Sequence, residues 1–220
     1  MGFDFSVLKY WRFILQGFEL NILLAVATAI TASIVGLFLG LARLYGPRWL
    51  SIIVTFYIDT MRSIPELVVL IWIFFSIPIL THMSLPPFWA ALLALTVQVA
   101  AYVAEVVRAG LTSIRAGQTS AGLALGMSHA QILRRVLLPQ AIVRMLPAYG
   151  SLLTMIIKDT AIASMVAVPE LMQHSETLAQ RTYRGIEIYT IAMVLFFLIL
   201  FPTTRIVEFI YRRVQHLGRS

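Results

Sequence analysis

The sequence predicts an all-α membrane protein with five transmembrane helices. Composition is the first reason. Of 220 residues, 60% are hydrophobic and 12% are Asp, Glu, Lys or Arg, against about 45–50% and about 25% in a soluble domain. So few charges cannot coat a soluble globule, and the mean hydropathy of +0.87 agrees. The second reason is that five stretches are each long enough to cross a bilayer, which takes roughly 20 mainly apolar residues. The apolar excess excludes a disordered chain, and 12 Gly and 9 Pro without period exclude collagen. The absence of Cys excludes a disulfide framework, a thiolate zinc site and a cysteine nucleophile.

Residues 1–16 precede the first span. Met1 to Ser6 holds Asp4 and no basic group, so the charged start of a cleavable signal is missing. The first span is therefore expected to stay in the mature chain. Residues 20–42 form that span without a charge, and Gly36 and Gly40 make a G-x-x-x-G pair that lets another helix approach. Gly46 and Pro47 mark a turn. The second span, 51–80, carries Asp59, Arg62 and Glu66 at i, i+3 and i+7, close to one helical face, and Pro65 can kink it. On a straight helix Arg62 lies roughly 15–18 Å from one end, near the midplane. Leu85-Pro86-Pro87 is a turn, and the third span, 88–107, puts Gln98, Tyr102 and Glu105 on one face.

Residues 117–138 are less hydrophobic and read as two short helices. The first, Ser120 to Leu125, has Gly126 as its C-terminal cap. The second opens with the capping box Ser128-His129-Ala130-Gln131 and sets Arg134 and Arg135 beside an apolar face, with Pro139 at its end. The fourth span, 141–168, contains Lys158 and Asp159. Residues 169–187 are polar, and Leu171, Met172, Leu178 and Ala179 make them either an amphipathic lid or a plain connection. The fifth span, 188–210, completes a transmembrane domain over 17–212, and a basic tail, 213–220, follows.

Five spans put the termini on opposite sides. The net charge of +7 then acquires a direction. Arg43, Arg48, Arg108, Arg115, Arg134, Arg135, Arg144, Arg205, Arg212, Arg213 and Arg219 fall on one side, and only Lys9, Arg12, Arg181 and Arg184 on the other. Lys and Arg collect on the cytoplasmic side, so the N-terminus is expected outside and the C-terminus in the cytoplasm. This favours a membrane origin of the basic excess over nucleic-acid binding.

The loop carries a recognisable pattern. Ser120-Ala121-Gly122 stands six positions before Gly126, and Val136-Leu137-Leu138-Pro139 begins ten positions after it. This resembles the E-A-A, three residues, Gly, nine residues, I-x-L-P loop of ABC-importer permeases of the MetI-like type. Arg62-Ser63-Ile64-Pro65, Ala101-Tyr102-Val103-Ala104-Glu105, Arg108-Ala109-Gly110, Gly117-Gln118, Pro139-Gln140-Ala141 and Lys158-Asp159-Thr160 resemble the polar amino-acid subfamily, related to histidine and glutamine permeases. The run from Gly117 to Gly126 is similar to that of glutamate/aspartate permeases, in which small residues also replace the Glu that Ser120 displaces. The resemblance covers about residues 17 to 212. It implies a bacterial inner-membrane subunit with a coupling loop, 117–138, that docks on a cytosolic ATPase dimer through Ser120, Ala121, Gly122, Gly126, Arg134, Arg135 and Pro139. It also implies a second permease subunit, identical or related, and an external solute-binding protein that delivers an amino acid. The chain itself lacks the Gly-rich, Lys-bearing loop that cradles ATP: its two lysines, Lys9 and Lys158, do not follow Gly. No cofactor of its own is expected, and ATP belongs to the partner.

Ionisable groups in spans are costly and mark candidate pathways. Arg62, Glu66, Gln98, Tyr102, Glu105, Lys158 and Asp159 are the candidate substrate contacts. Lys158 suits an α-carboxylate and Asp159 an α-ammonium. The bland alternative is an ion network that only holds helices together, with Arg108 pairing Glu105 and Asp159 pairing Arg62 or another helix. His82, His129, His174 and His216 lack ligand spacing, so no metal site is expected. The competing function is an ion-gradient-driven transporter or channel, for which the buried acids would serve. An intramembrane enzyme would need a nucleophile–base pair that the sequence does not offer.

Overall fold

The computed structural model describes residues 5–215; Asp4, His216 and Arg219 lie outside the described residues. A 3-10 turn, Phe5–Tyr10, leads into α1 (Trp11–Tyr45). This helix starts nine residues before the expected span. Its early turns are held because Ile14 and Gly17 are buried against a later helix. After Pro47 come α2 (Arg48–Ser63) and α3 (Glu66–Thr81), then α4 (Pro87–Thr112).

α4 packs along α1 because small residues face each other. A Cβ on Gly36 would lie 2.5 Å from Val103 Cβ and 2.7 Å from the Ala100 carbonyl oxygen. On Gly40 it would lie 2.9 Å from the Ala104 carbonyl oxygen. The G-x-x-x-G pair therefore seats α4, whose Ala100, Ala101 and Ala104 are fully buried.

The second span is not one helix. α2 and α3 meet at 106° across Ile64 and Pro65. Ile64 is extended, as the residue before a proline prefers to be. The i, i+3, i+7 face therefore does not exist, since Asp59 and Arg62 end α2 while Glu66 opens α3. The straight-helix depth of Arg62 falls with it. Among the described residues, four helical stretches are long and apolar enough to span by themselves, and the bent pair counted as one makes five.

α5 (Ala116–Ala124) ends at Gly126, whose φ of +74° is the left-handed value that favours glycine. The capping box at Ser128 forms as read and starts α6 (His129–Ile132). The second loop helix is not separate, however. It runs through a π-helical turn, Leu133–Leu137, into α7 (Leu138–Asp159) without a break. The wider register just before Pro139 accommodates the N–H that this proline lacks. At Thr160 the helix tightens to a 3-10 segment, Thr160–Val166. α8 (Leu171–Thr182) follows, then α9 (Gly185–Val214). Leu171 and Leu178 pack with Val7, Ile14, Ile188 and Ala192, so the apolar face of α8 is spent inside the bundle. It connects and packs rather than forming an open lid.

Candidate functional site

The break between α2 and α3 opens a cavity of about 340 Å³. Arg62, Ser63, Ile64, Pro65 and Glu66 form its broken wall, Gln98, Val99 and Tyr102 of α4 a second, and Met155 and Asp159 of α7 a third. The break itself is stabilised from α4, where Gln98 Nε2 donates to the Ile64 carbonyl at 2.8 Å. That leaves Gln98 Oε1 buried without a donor, and Glu66 Oε1 is in the same condition. The Glu66 and Asp159 carboxyl groups face one another. Uncompensated buried acceptors are costly, and here two, on Gln98 and Glu66, belong to residues lining one space.

A second cavity of about 580 Å³ shares Arg62 and Tyr102 with the first and continues past Glu105 to Ser113, Arg144 and Ser151. The Arg62 guanidinium lies 5.7 Å from the Tyr102 ring centre. Glu105 binds Arg108 at 2.5 Å and Arg43, from the end of α1, at 2.8 Å, with Arg62 at 3.9 Å. Arg144 Nη1 donates to the Ser113 carbonyl. Three arginines around one carboxylate leave this region electropositive.

Five of the seven expected pathway residues thus meet in one cavity: Arg62, Glu66, Gln98, Tyr102 and Asp159. Glu105 lines the adjoining one and is more than a partner for Arg108. Lys158 is exposed and is not among the lining residues, although its charge attracts Asp159. Sequence reading missed Arg43, Arg144 and Met155. Arg43 looks like an ordinary loop charge until the fold brings it to Glu105, 62 positions away.

At the end of the bundle near Ser113, α5 and α6 form a hairpin. Gly122 lets them touch, because a Cβ there would lie 2.7 Å from Ile132 Cγ1. Leu123 and Leu125 are exposed, the latter at 81%, as are Ser120, Ala121, Arg134, Arg135 and Pro139. An apolar ridge beside two free-standing arginines is suited to a protein partner.

Comparison with known proteins gives this arrangement a context. Residues 32–216 match the family of binding-protein-dependent transport system inner membrane components. The chain belongs to this family. It is 31% identical to the arginine transport system permease protein ArtQ of Bacillus subtilis (strain 168), over 98% of this chain and 99% of that one. It is 32% identical to the glutamine transport system permease protein GlnP of Escherichia coli (strain K12), over 98% and 97% respectively. A crystal structure of an amino acid ABC transporter with histidines superposes with a TM-score of 0.90 at 31% identity, covering 97% of this chain and all of that one. As a member, this chain is an inner-membrane permease component of the ABC-importer type, built as the expected all-helical fold.

Proposed function

We propose that this permease carries a polar amino acid, delivered by an external solute-binding protein, through a pore made with a second permease subunit and driven by a cytosolic ATPase. One observation carries the substrate reading: unpartnered acceptors on Glu66 and Gln98, with Asp159, share a cavity with the Arg62 guanidinium. An amino acid has a donor-only ammonium at one end and a carboxylate at the other. The ammonium satisfies the acceptors, and Arg62 meets the carboxylate. The electropositive ring around Glu105 supports an acidic side chain, as in glutamate or aspartate. Named relatives serve arginine and glutamine, so the side chain is the least constrained part. Lys158 is exposed beside Asp159, and its proposed contact is with a molecule held between the two permease subunits.

The α5–α6 hairpin is the coupling element. Leu123, Leu125, Arg134 and Arg135 dock on the ATPase, and the unbroken helix from α6 into α7 carries its motion toward Asp159. The orientation follows the basic count: Arg43, Arg108 and Arg144 share the hairpin's end, which is cytoplasmic, and the N-terminus is outside.

The test is uptake by proteoliposomes holding the permease, its ATPase and its binding protein. Labelled glutamate or aspartate should accumulate only with ATP inside the nucleotide compartment. Uptake that survives ATP depletion while an ion gradient holds would sink the proposal.

A further inference from the structure

A polar bridge lies just outside the cavity. Asn21 of α1, Thr160 after α7 and Glu170 before α8 are each fully buried. Asn21 Nδ2 donates to Thr160 Oγ1 at 2.8 Å and to Glu170 Oε2 at 3.3 Å. Thr160 Oγ1 donates in turn to the Ile157 carbonyl at 2.8 Å. Glu170 also accepts the Met172 and Gln173 N–H groups, both at 2.9 Å, and so caps α8. α1 closes on the start of α8 at Gly17, where a Cβ would lie 3.0 Å from the Glu170 backbone and 2.8 Å from His174 Nδ1. His174 stacks on Phe13 at 3.8 Å, and its Nδ1 lies 2.7 Å from the Phe13 carbonyl.

Apolar side chains would close the same contact without burying polar groups. The neighbouring core already does so with Ala163, Val166, Val168 and Leu24. What hydrogen bonds add is direction. This set fixes Thr160 where the α-helix tightens to 3-10 geometry, one residue after Asp159. Asp159 is the last residue of α7 and lines the cavity, so whatever holds Thr160 also limits how far that end of the helix can move.

We infer that Asn21, Thr160 and Glu170 are positioning residues: their bridge holds Asp159 in the cavity and ties its placement to the seat of α8. A displacement of α8 is thereby delivered to the cavity wall. This rests on the proposed role of Asp159 in contacting the transported amino acid.

Thr160→Val tests it in the assembled complex in proteoliposomes, since it keeps the side-chain shape and removes the hydroxyl. The variant should assemble and hydrolyse ATP without binding protein at the wild-type rate, while uptake falls about tenfold. Amide exchange over residues 157–163 should rise, and Thr160→Ser should recover most of the uptake. Wild-type uptake in Thr160→Val overturns the inference. So does loss of assembly and hydrolysis together with uptake, or a Thr160→Ser variant as poor as Thr160→Val. Asp159→Asn is run alongside. If it transports normally, the cavity reading fails; if it is inactive while Thr160→Val transports normally, only the bridge fails.

Discussion

Replacing Gly36 with Ala should force α1 and α4 apart. The added carbon would lie 2.5 Å from Val103 Cβ and 2.7 Å from the Ala100 carbonyl oxygen, where carbon atoms normally keep about 3.5–4.0 Å. Val103 Cβ and the Ala100 backbone cannot rotate away, so the helices must separate by roughly 1 Å or bend. Overpacking of this kind costs about 1–3 kcal/mol. Val103→Ala in the same chain removes the Cγ1 contact at 2.7 Å but leaves the Cβ and the carbonyl, so it should recover only part of the loss. Unfolding of the purified permease by increasing SDS in mixed micelles measures this directly. Gly117→Ala is the control, because a Cβ there meets nothing within 4 Å. A Gly36→Ala protein as stable as Gly117→Ala would refute the close packing of α1 on α4.

Gly126 tests backbone conformation instead of space. Its φ is +74° and a Cβ there meets nothing within 4 Å, so Gly126→Val suffers only left-handed strain, about 1–2 kcal/mol. It should insert normally yet uncouple ATP hydrolysis from uptake, and Gly126→Asn should be milder; tight coupling in the Val variant counts against the hairpin's docking role. Glu170 gives a pH dependence. Burial pushes its carboxyl up from the ordinary 4.5 to about 7, against the hydrogen bonds from Met172, Gln173 and Asn21. The native state then holds the proton more tightly than the unfolded chain, so stability is lost as pH rises between about 4.5 and 7, by at most about 3 kcal/mol. The thermal midpoint of the purified complex should drop more from pH 5 to pH 8 in wild type than in Glu170→Gln, and equal drops would contradict this.

Much of the fold was legible because lipid demands long apolar runs, and the turns between them carry Gly or Pro. The G-x-x-x-G pair of α1, the cap at Gly126 and the box at Ser128 were readable for similar local reasons. Pro65 announced a bend but not its size. The 106° turn depends on Gln98, from another helix, satisfying the Ile64 carbonyl. The π turn before Pro139 and the tightening after Asp159 are responses to packing, and hydropathy does not register them. The site was legible as a set of misplaced polar residues in apolar spans. Their grouping was not. Arg62 pairs with Glu105 of α4, and Asp59, one turn before it on α2, is exposed and lines neither of these two cavities. Lys158 and Asp159 are neighbours in sequence, but only Asp159 enters the cavity wall.

The most direct test of a pathway through this cavity is uptake by the reconstituted complex carrying Asp159→Ala, with Lys158→Ala beside it. Asp159→Ala should assemble with its ATPase, hydrolyse ATP and yet transport at least tenfold more slowly; Lys158→Ala should also be slowed. Wild-type transport by Asp159→Ala, or a complex that fails to assemble at all, would contradict a substrate contact at that carboxyl.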